Sequence, residues 1–212
     1  MDIVTAAYTD DTTSRPPYHH GDLRNALLST ARIMLERQKS ACLSFRAVAR
    51  EANVSHAAPY RHFTSQEAML AEVAREGFLE LRDALSAVPN HTELDKRLSA
   101  LCRIYLSYVA DHPALARLMF ESQILARAKY PTLRTAARAI GEEIGIVLGD
   151  TNFGLSVWAA LHGIAMLMLE NVADLGHAPA DINAQIAYAE AMLQHLAQRQ
   201  ERITSSHIQT HE

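Results

Sequence analysis

The sequence predicts an all-α fold of about nine helices, in which a small N-terminal head is followed by a larger body. Apolar residues recur at helical spacing along most of the chain, and no five-residue window alternates as a β-strand would. The chain holds 8 glycines and 7 prolines in 212 residues, too few for a loop-rich β-protein. These breakers fall between the periodic segments, where they mark the ends of helices.

The pattern of the first 65 residues predicts a flexible arm followed by three helices. Residues 1–17 are polar, contain two prolines and show no period, which predicts a flexible arm. Asp22 is a suitable cap for a first helix. Ser44 and Ser55 are suitable caps for two short helices that follow. Asn53 lies between those two helices and tolerates the left-handed conformation of a tight turn.

The body is predicted to contain longer helices. Ser65 caps a fourth helix, whose apolar period continues to Pro89. The later predicted helices cover residues 94–109, a short segment after Pro113, 133–148, 153–172 and 181–200. We therefore divide the chain into a head at 18–65, a body at 66–202 and a flexible tail at 203–212.

Composition excludes several classes of protein. The chain is 49% hydrophobic and 21% charged, as in ordinary globular proteins. Cys42 and Cys102 have no metal-ligand spacing and are typical of a reducing cytoplasm. The longest apolar stretch, residues 155–169, is shorter than the roughly 20 residues that span a bilayer, and the N-terminus lacks a signal-peptide pattern. The sequence predicts a cytoplasmic protein with no membrane partner.

No catalytic, metal or cofactor motif stands out. The eleven histidines form no HExxH or paired ExxH pattern. The chain also lacks a nucleophile elbow and a glycine-rich phosphate loop. We expect neither enzymatic activity nor a cofactor or metal ion.

Charge is distributed unevenly along the chain. The net charge is −4, but residues 15–65 hold eight basic and only three acidic residues. Residues 15–65 therefore carry +5 and the remainder of the chain −9, an asymmetry that favours a polyanionic partner for this N-terminal segment. On charge alone, an ordinary solvated surface explains the pattern equally well.

Residues 43–63 have helix-turn-helix spacing, with two short helices joined at Asn53 and Val54. The outward positions of the second helix are small or hydrogen-bonding, and none is acidic: His56, Ala57, Pro59, Arg61 and His62. Such side chains suit the major groove, which offers donors, acceptors and thymine methyl groups. The alternative is an αα-hairpin used only for packing.

Residues 43–70 resemble the DNA-binding domain of the TetR family of bacterial regulators. The matching positions are Ser44, Val48-Ala49, Asn53-Val54-Ser55, Tyr60-Arg61-His62-Phe63 and Ser65 to Leu70. Asn53 replaces the usual turn glycine, and Gln66 replaces a lysine that the family often places against a phosphate. Tyr18 to Gly21 and Trp158 to Gly163 resemble the TetR subgroup named for a Trp-His-Gly signature.

The resemblance implies a dimeric, ligand-responsive transcription regulator, most often a repressor, that binds double-stranded operator DNA. Ser44, Arg46, Tyr60 and His62 are then expected at phosphates, and His56 and Ala57 at bases. Ser55 and Pro59 complete the predicted DNA-binding set. Pro59 either touches a sugar or a thymine methyl group, or only helps to set the turn.

The body is expected to bind a small apolar or aromatic effector. The predicted effector-site residues are Phe78, Tyr105, Tyr108, Met119, Phe120, Gln123, Trp158, His162 and Met166. Gln123 and His162 are the candidates for orienting polar groups. A filled core without a cavity is the alternative, and His162 is then a structural histidine.

The last predicted helix carries an apolar seam with alternating spacings of four and three residues. The seam consists of Ile182, Ile186, Ala189, Leu193 and Leu196. In a monomer such a seam would belong to the core. The resemblance instead implies a homodimer in which the last two long helices, at 153–172 and 181–200, pair with their copies as a four-helix bundle with a mainly apolar interface. The competing function for the whole chain is a helical ligand-binding or enzymatic domain whose helix-turn-helix serves only packing.

Overall fold

The computed structural model describes residues 20–38, 43–120, 129–170 and 181–209, and within them it contains nine helices and no strand. In chain order these are α1 (His20–Gln38), α2 (Phe45–Glu51), α3 (Ala58–His62), α4 (Gln66–Ser86), α5 (Leu94–Asp111), α6 (Pro113–Phe120), α7 (Pro131–Leu148), α8 (Thr151–Leu169) and α9 (Ile182–Gln209). The predicted all-α fold is confirmed.

Helices α1, α2 and α3 form the head, and local signals fix the geometry of α2. The Ser44 hydroxyl accepts a hydrogen bond from the Ala47 amide at 3.1 Å, which caps α2 as predicted. The chain then turns through Asn53, whose φ of +53° is the left-handed conformation expected there. Phe45, Val48 and Phe63 are buried between the three helices.

Helix α3 begins two residues later than the sequence predicts. Ala57, not Ser55, occupies the N-cap position, and the Ser55 carbonyl accepts from the Ala58 amide in a turn before the helix. Pro59 therefore lies in the first turn, where an amide has no intrahelical partner to lose. Pro59 therefore costs α3 no ladder hydrogen bond.

Helix α4 connects the head to the body. It begins at the predicted Ser65 cap, whose hydroxyl accepts from the Ala68 amide at 3.0 Å. Its apolar face packs against α1, α5, α6 and α7. Ion pairs attach α1 to α4 at two levels, Arg24 with Glu72 at 2.9 Å and Arg32 with Glu80. The head is thus held to α4 by packing and by side-chain contacts as well as by the chain.

Helices α7 and α8 form a tight hairpin in the body. Gly149 ends α7 in the left-handed conformation, with a φ of +76°. The Asp150 carboxylate then caps α8 by accepting from the amides of Asn152 and Phe153 at 2.8 and 2.9 Å. The helices approach so closely that a Cβ on Gly154 would lie 2.4 Å from the Cα of Gly145.

Two helix ends differ from the prediction. Helix α1 already begins at His20, so Asp22 lies inside it rather than at its cap. Helix α9 continues to Gln209, through most of the segment expected to be a flexible tail.

Helix α8 has 19 residues and is long and apolar enough to cross a membrane by these two criteria. Only a third of this apolar segment is buried within the protomer. One side packs on α5, α7 and α9, which makes α8 part of the helical body. Its other side leaves apolar surface exposed.

Candidate DNA-binding surface and effector site

The start of α2 and the region around α3 present most of the predicted DNA-contact residues at the surface. Ser44, Arg46, Ser55, His56, Ala57 and Tyr60 are exposed, and His62 is partly exposed. The Tyr60 ring packs edge-on against Phe45, with centroids 4.9 Å apart, although 69% of the residue remains accessible. This contact fixes the ring of Tyr60 beside the start of α2 and leaves most of the side chain accessible to a ligand.

Pro59 differs from the rest of that set because it is buried. Its ring belongs to the inward side of α3, together with Ala58. A contact between Pro59 and a sugar or a thymine methyl group therefore does not fit the structure, which supports the alternative that Pro59 helps to set the turn.

Ion pairing divides the arginines of the head into two groups. Arg24, Arg32 and Arg37 form ion pairs with glutamates. Within the described residues, Arg46, Arg50 and Arg61 are exposed and have no ion-pair partner. Sequence reasoning left Arg50 and Arg61 out of the contact set, because spacing does not reveal which cations are neutralised. The unpaired charge lies on α2 and α3.

The body contains an aromatic cluster centred on His162. The His162 and Phe120 rings have centroids 4.3 Å apart, and the Trp158 ring lies 6.3 Å from His162. The Tyr105 hydroxyl is 3.3 Å from Nδ1 of His162. Phe78 packs edge-on against Phe120 at 5.2 Å. The structure thus brings together five of the nine predicted effector-site residues, from α4, α5, α6 and α8.

The polar atoms of this cluster are largely withdrawn from water. Burial lowers the pKa of His162, which favours its neutral form. Burial also raises the pKa of Tyr105 above its usual range. Nε1 of Trp158 is also buried, and its contact with the Tyr105 hydroxyl offsets part of that rise, although the contact falls short of a well-formed hydrogen bond. The cluster therefore places a buried N–H, with no well-formed hydrogen bond within the described residues, beside a neutral Tyr–His pair.

The other four predicted effector-site residues are not among the five that meet around His162. Met119 packs where α6 meets Gly77 of α4. The Tyr108 hydroxyl donates to the Gly77 carbonyl at 3.0 Å and lies 3.3 Å from the Glu80 carboxylate, near the head. Met166 is partly buried on α8. Gln123 lies outside the described residues.

The predicted dimer seam faces mainly inward within one protomer. Ile186, Ala189 and Leu193 are buried, and α9 packs chiefly on α5. Ile182 is partly buried, and only Leu196 of the seam is exposed, at 39%. The dimer role of the seam stays a prediction, but its three central residues are not available to a partner in this arrangement.

Exposed apolar residues lie on α8 and, on α9, at Tyr188 outside the seam and at Leu196 at its end. Leu155 and Leu167 of α8 are exposed, and Ala159 and Gly163 complete a row at four-residue spacing between them. A Cβ on Gly163 would meet nothing within 4 Å. Within residues 182–199 of α9, the large exposed apolar side chains are those of Tyr188 and Leu196. The sequence predicts that this helix takes part in the dimer interface, but it does not identify the exposed row, because α8 is apolar nearly all round.

A helix-turn-helix head joined by one long helix to an all-helical body defines the class of helix-turn-helix transcription regulators. Residues 27–73 match the family model "Bacterial regulatory proteins, tetR family", and residues 98–196 match "Tetracyclin repressor-like, C-terminal domain". The chain therefore belongs to the TetR family of transcriptional regulators. The subgroup named for a Trp-His-Gly signature stays a prediction.

Solved structures show the same fold. A protein of unknown function from Rhodococcus sp. RHA1 is 32% identical with a TM-score of 0.67, covering 84% of this chain and 97% of that one. A TetR-family regulator from Streptomyces coelicolor is 15% identical with a TM-score of 0.67, covering 88% and 86%. The multidrug binding protein EbrR complexed with ethidium is 23% identical with a TM-score of 0.63, covering 84% and 99%. A comparison with curated proteins gave no match.

Proposed function

We propose that this regulator binds a near-palindromic operator as a homodimer in the cytoplasm, represses transcription there, and is released by a small molecule. The observation that carries the proposal is the exposed, unpaired positive charge on α2 and α3, beside hydrogen-bonding side chains that lack acidic neighbours at the start of α3. Two such heads in one dimer would occupy successive major grooves, about 34 Å apart.

The head residues divide into two roles in this proposal. Arg46, with the Ser44 and Tyr60 hydroxyls and partly exposed His62, binds phosphates and fixes the register of the head on DNA. His56 and Ala57, exposed just before α3, face base edges in the groove. Arg50 and Arg61 add unpaired charge beside these contacts.

The phosphate assignment is tested by the salt dependence of operator affinity. The DNA is the segment upstream of the protein's own gene. Replacing Arg46 with alanine should weaken binding to all sequences alike and lower the salt slope by about one per head, since one phosphate contact is lost. Arg82→Ala, which removes a body arginine paired with Asp83, is the matched control and should leave the slope unchanged. An unchanged slope in Arg46→Ala would contradict the assignment.

The proposed dimer uses the exposed faces of α8 and α9. Leu155, Ala159, Gly163 and Leu167 form a single row, and the small residues at its centre allow a partner helix to approach closely. Tyr188 and Leu196 are exposed on α9, which packs against α8, and would add apolar area to the interface. An apolar helix that its own protomer covers on one side only is best explained by a second copy of the chain.

The proposed effector binds at the His162 cluster. Aromatic rings on several sides suit an apolar or aromatic molecule. The buried Trp158 N–H, which has no well-formed hydrogen bond within the described residues, suits a hydrogen-bond acceptor on that molecule. The neutral His162–Tyr105 pair can either donate or accept, so it would complete the orientation. EbrR, of the same fold, is known from its solved structures with ethidium and with imidazole.

Fluorescence tests this location directly, because Trp158 is the only tryptophan in the chain. A compound that releases operator DNA should also change Trp158 emission. Release with unchanged emission would place the effector site elsewhere in the body. Replacing His162 with phenylalanine should weaken a polar effector and keep the fold, since the exchange roughly preserves volume.

A further inference from the structure

The N-terminus of α6 has only two free amides that need a partner. Pro113 is the first residue of α6 and has no N–H. The first bond of the helical ladder runs from the Ala116 amide to the His112 carbonyl at 2.8 Å. The amides of Ala114 and Leu115 therefore remain without an intrahelical acceptor.

A residue of the head supplies both missing acceptors. Glu36 lies in the last turn of α1, and its two carboxylate oxygens accept from the Ala114 amide at 3.2 Å and the Leu115 amide at 2.9 Å. A carboxylate at a helix N-terminus also meets the positive end of the helix dipole. The cap of α6 is thus provided by α1 across 78 residues of sequence.

The opposite end of α6 lies at the proposed effector site. Phe120 is the last residue of α6 and contacts both His162 and Phe78 through its ring. Helix α6 has eight residues, about 12 Å of rise, and it packs along α4 between these two ends. One short helix therefore joins the aromatic cluster to the last turn of α1.

We propose that Glu36 is a positioning residue for DNA binding, and that α6 transmits displacement of Phe120 to the head through the Glu36 cap. The inference rests on the proposed function and adds a second connection to the one made by α4. A shift of α6 along its axis moves the Ala114 and Leu115 amides. Because the Glu36 carboxylate is bonded to both amides, the last turn of α1 moves with them. The ion pairs of α1 with α4 fix where α1 meets the body but do not touch α6.

Amide exchange tests the cap and the link without DNA. In Glu36→Ala, exchange at Ala114 and Leu115 should be at least about fivefold faster than in the wild type, with Glu36→Gln intermediate because it keeps one acceptor oxygen. Phe120→Ala should accelerate exchange in the last turn of α1, and this effect should vanish when Glu36 is also alanine. Phe120→Leu replaces it if the alanine variant does not fold.

A double-mutant cycle on the DNA segment upstream of the gene tests the consequence for binding. Changing Phe120 should alter the operator Kd by about fivefold in the wild-type background and by less than about twofold in Glu36→Ala. Glu93→Gln is the matched control, because Glu93 stands at the N-cap of α5 without making a side-chain cap bond. Changing Phe120 should therefore alter the operator Kd by the same factor in Glu93→Gln as in the wild type.

The outcomes separate this inference from the proposed function. Unchanged exchange at Ala114 and Leu115 in Glu36→Ala, or Phe120 effects that persist in full without Glu36, would overturn the inference. A wild-type protein that does not bind the DNA would instead overturn the proposed function, and the exchange experiment on α1 would still decide whether the link exists.

Discussion

His162 shows how burial determines the chemistry of a single residue. Its ring contacts Phe120 and lies near the Tyr105 hydroxyl, and this enclosure lowers its pKa. A neutral imidazole can serve either as donor or as acceptor toward an effector, depending on its tautomer. An imidazolium could only donate, so the buried site favours neutral recognition.

Acidification should therefore destabilise the wild type through His162. The folded state resists protonation of this ring, so the unfolded chain binds more protons as pH falls through the ordinary histidine range. Its contribution to stability is present above that range and is lost between about pH 7 and pH 5. Between pH 7 and pH 5, the free energy of unfolding measured with urea should fall by more in the wild type than in His162→Phe. The control is His91→Phe, at an exposed position, whose free energy of unfolding should fall by as much as that of the wild type.

Single residues were predictable from sequence where their partners are near in the chain. Ser44 and Ser65 cap amides three residues away, and Asn53 forms a turn through its own backbone, so local patterns revealed all three. Pro59 was misplaced because its predicted exposure depended on a helix start that was two residues too early. Glu36 escaped notice because the amides it caps lie 78 and 79 residues away.

At the scale of elements, the body depends on how closely α7 and α8 approach. Gly145 and Gly154 face each other across the hairpin, and Trp158 lies against α7 at Gly141, where an added Cβ would be 3.1 Å from the indole ring. The hairpin thus sets the position of Trp158 in the aromatic cluster.

Replacing Gly154 with alanine should destabilise the protein by about 1–3 kcal/mol, because the new methyl group would overlap the α7 backbone and force the helices apart. Ser156→Ala is the control on the same helix, at an exposed position, and should change the free energy of unfolding by no more than about 0.5 kcal/mol. Urea denaturation of both variants measures the difference. Equal stabilities would show that the helices do not meet as closely as described.

Helical periodicity predicted the elements well, but it does not say what covers their apolar faces. The seam of α9 has a spacing that suits a protomer core and a subunit interface equally, and the structure buries Ile186, Ala189 and Leu193 within the protomer. The length of α9 was also underestimated, since its polar C-terminal part gave no apolar period to follow.

At the scale of the whole molecule, the exposed face of α8 predicts where two copies meet. Leu167→Glu should leave the protomer folded, because the side chain is exposed there, and should weaken association by placing a charge in the dimer interface. Ile33→Glu, on an exposed position of α1, is the control and should not affect association. Light scattering and sedimentation measure both.

The same experiment separates this face from the predicted seam. Leu193 is fully buried in the protomer, so Leu193→Glu should lower the free energy of unfolding by several kcal/mol rather than only dissociate the dimer. A Leu167→Glu protein that remains dimeric, or a wild type that is monomeric at micromolar concentration, would contradict the proposed interface.

The central claim is that two identical heads, held to phosphates by unpaired positive charge, bind successive major grooves of one operator. Footprinting of the purified protein on DNA upstream of its own gene tests it most directly. We predict two protected half-sites whose centres are separated by one or more helical turns, about 10 base pairs each, with protection that weakens steeply as salt is raised. Uniform protection without paired half-sites, or no salt-dependent protection at all, would contradict it.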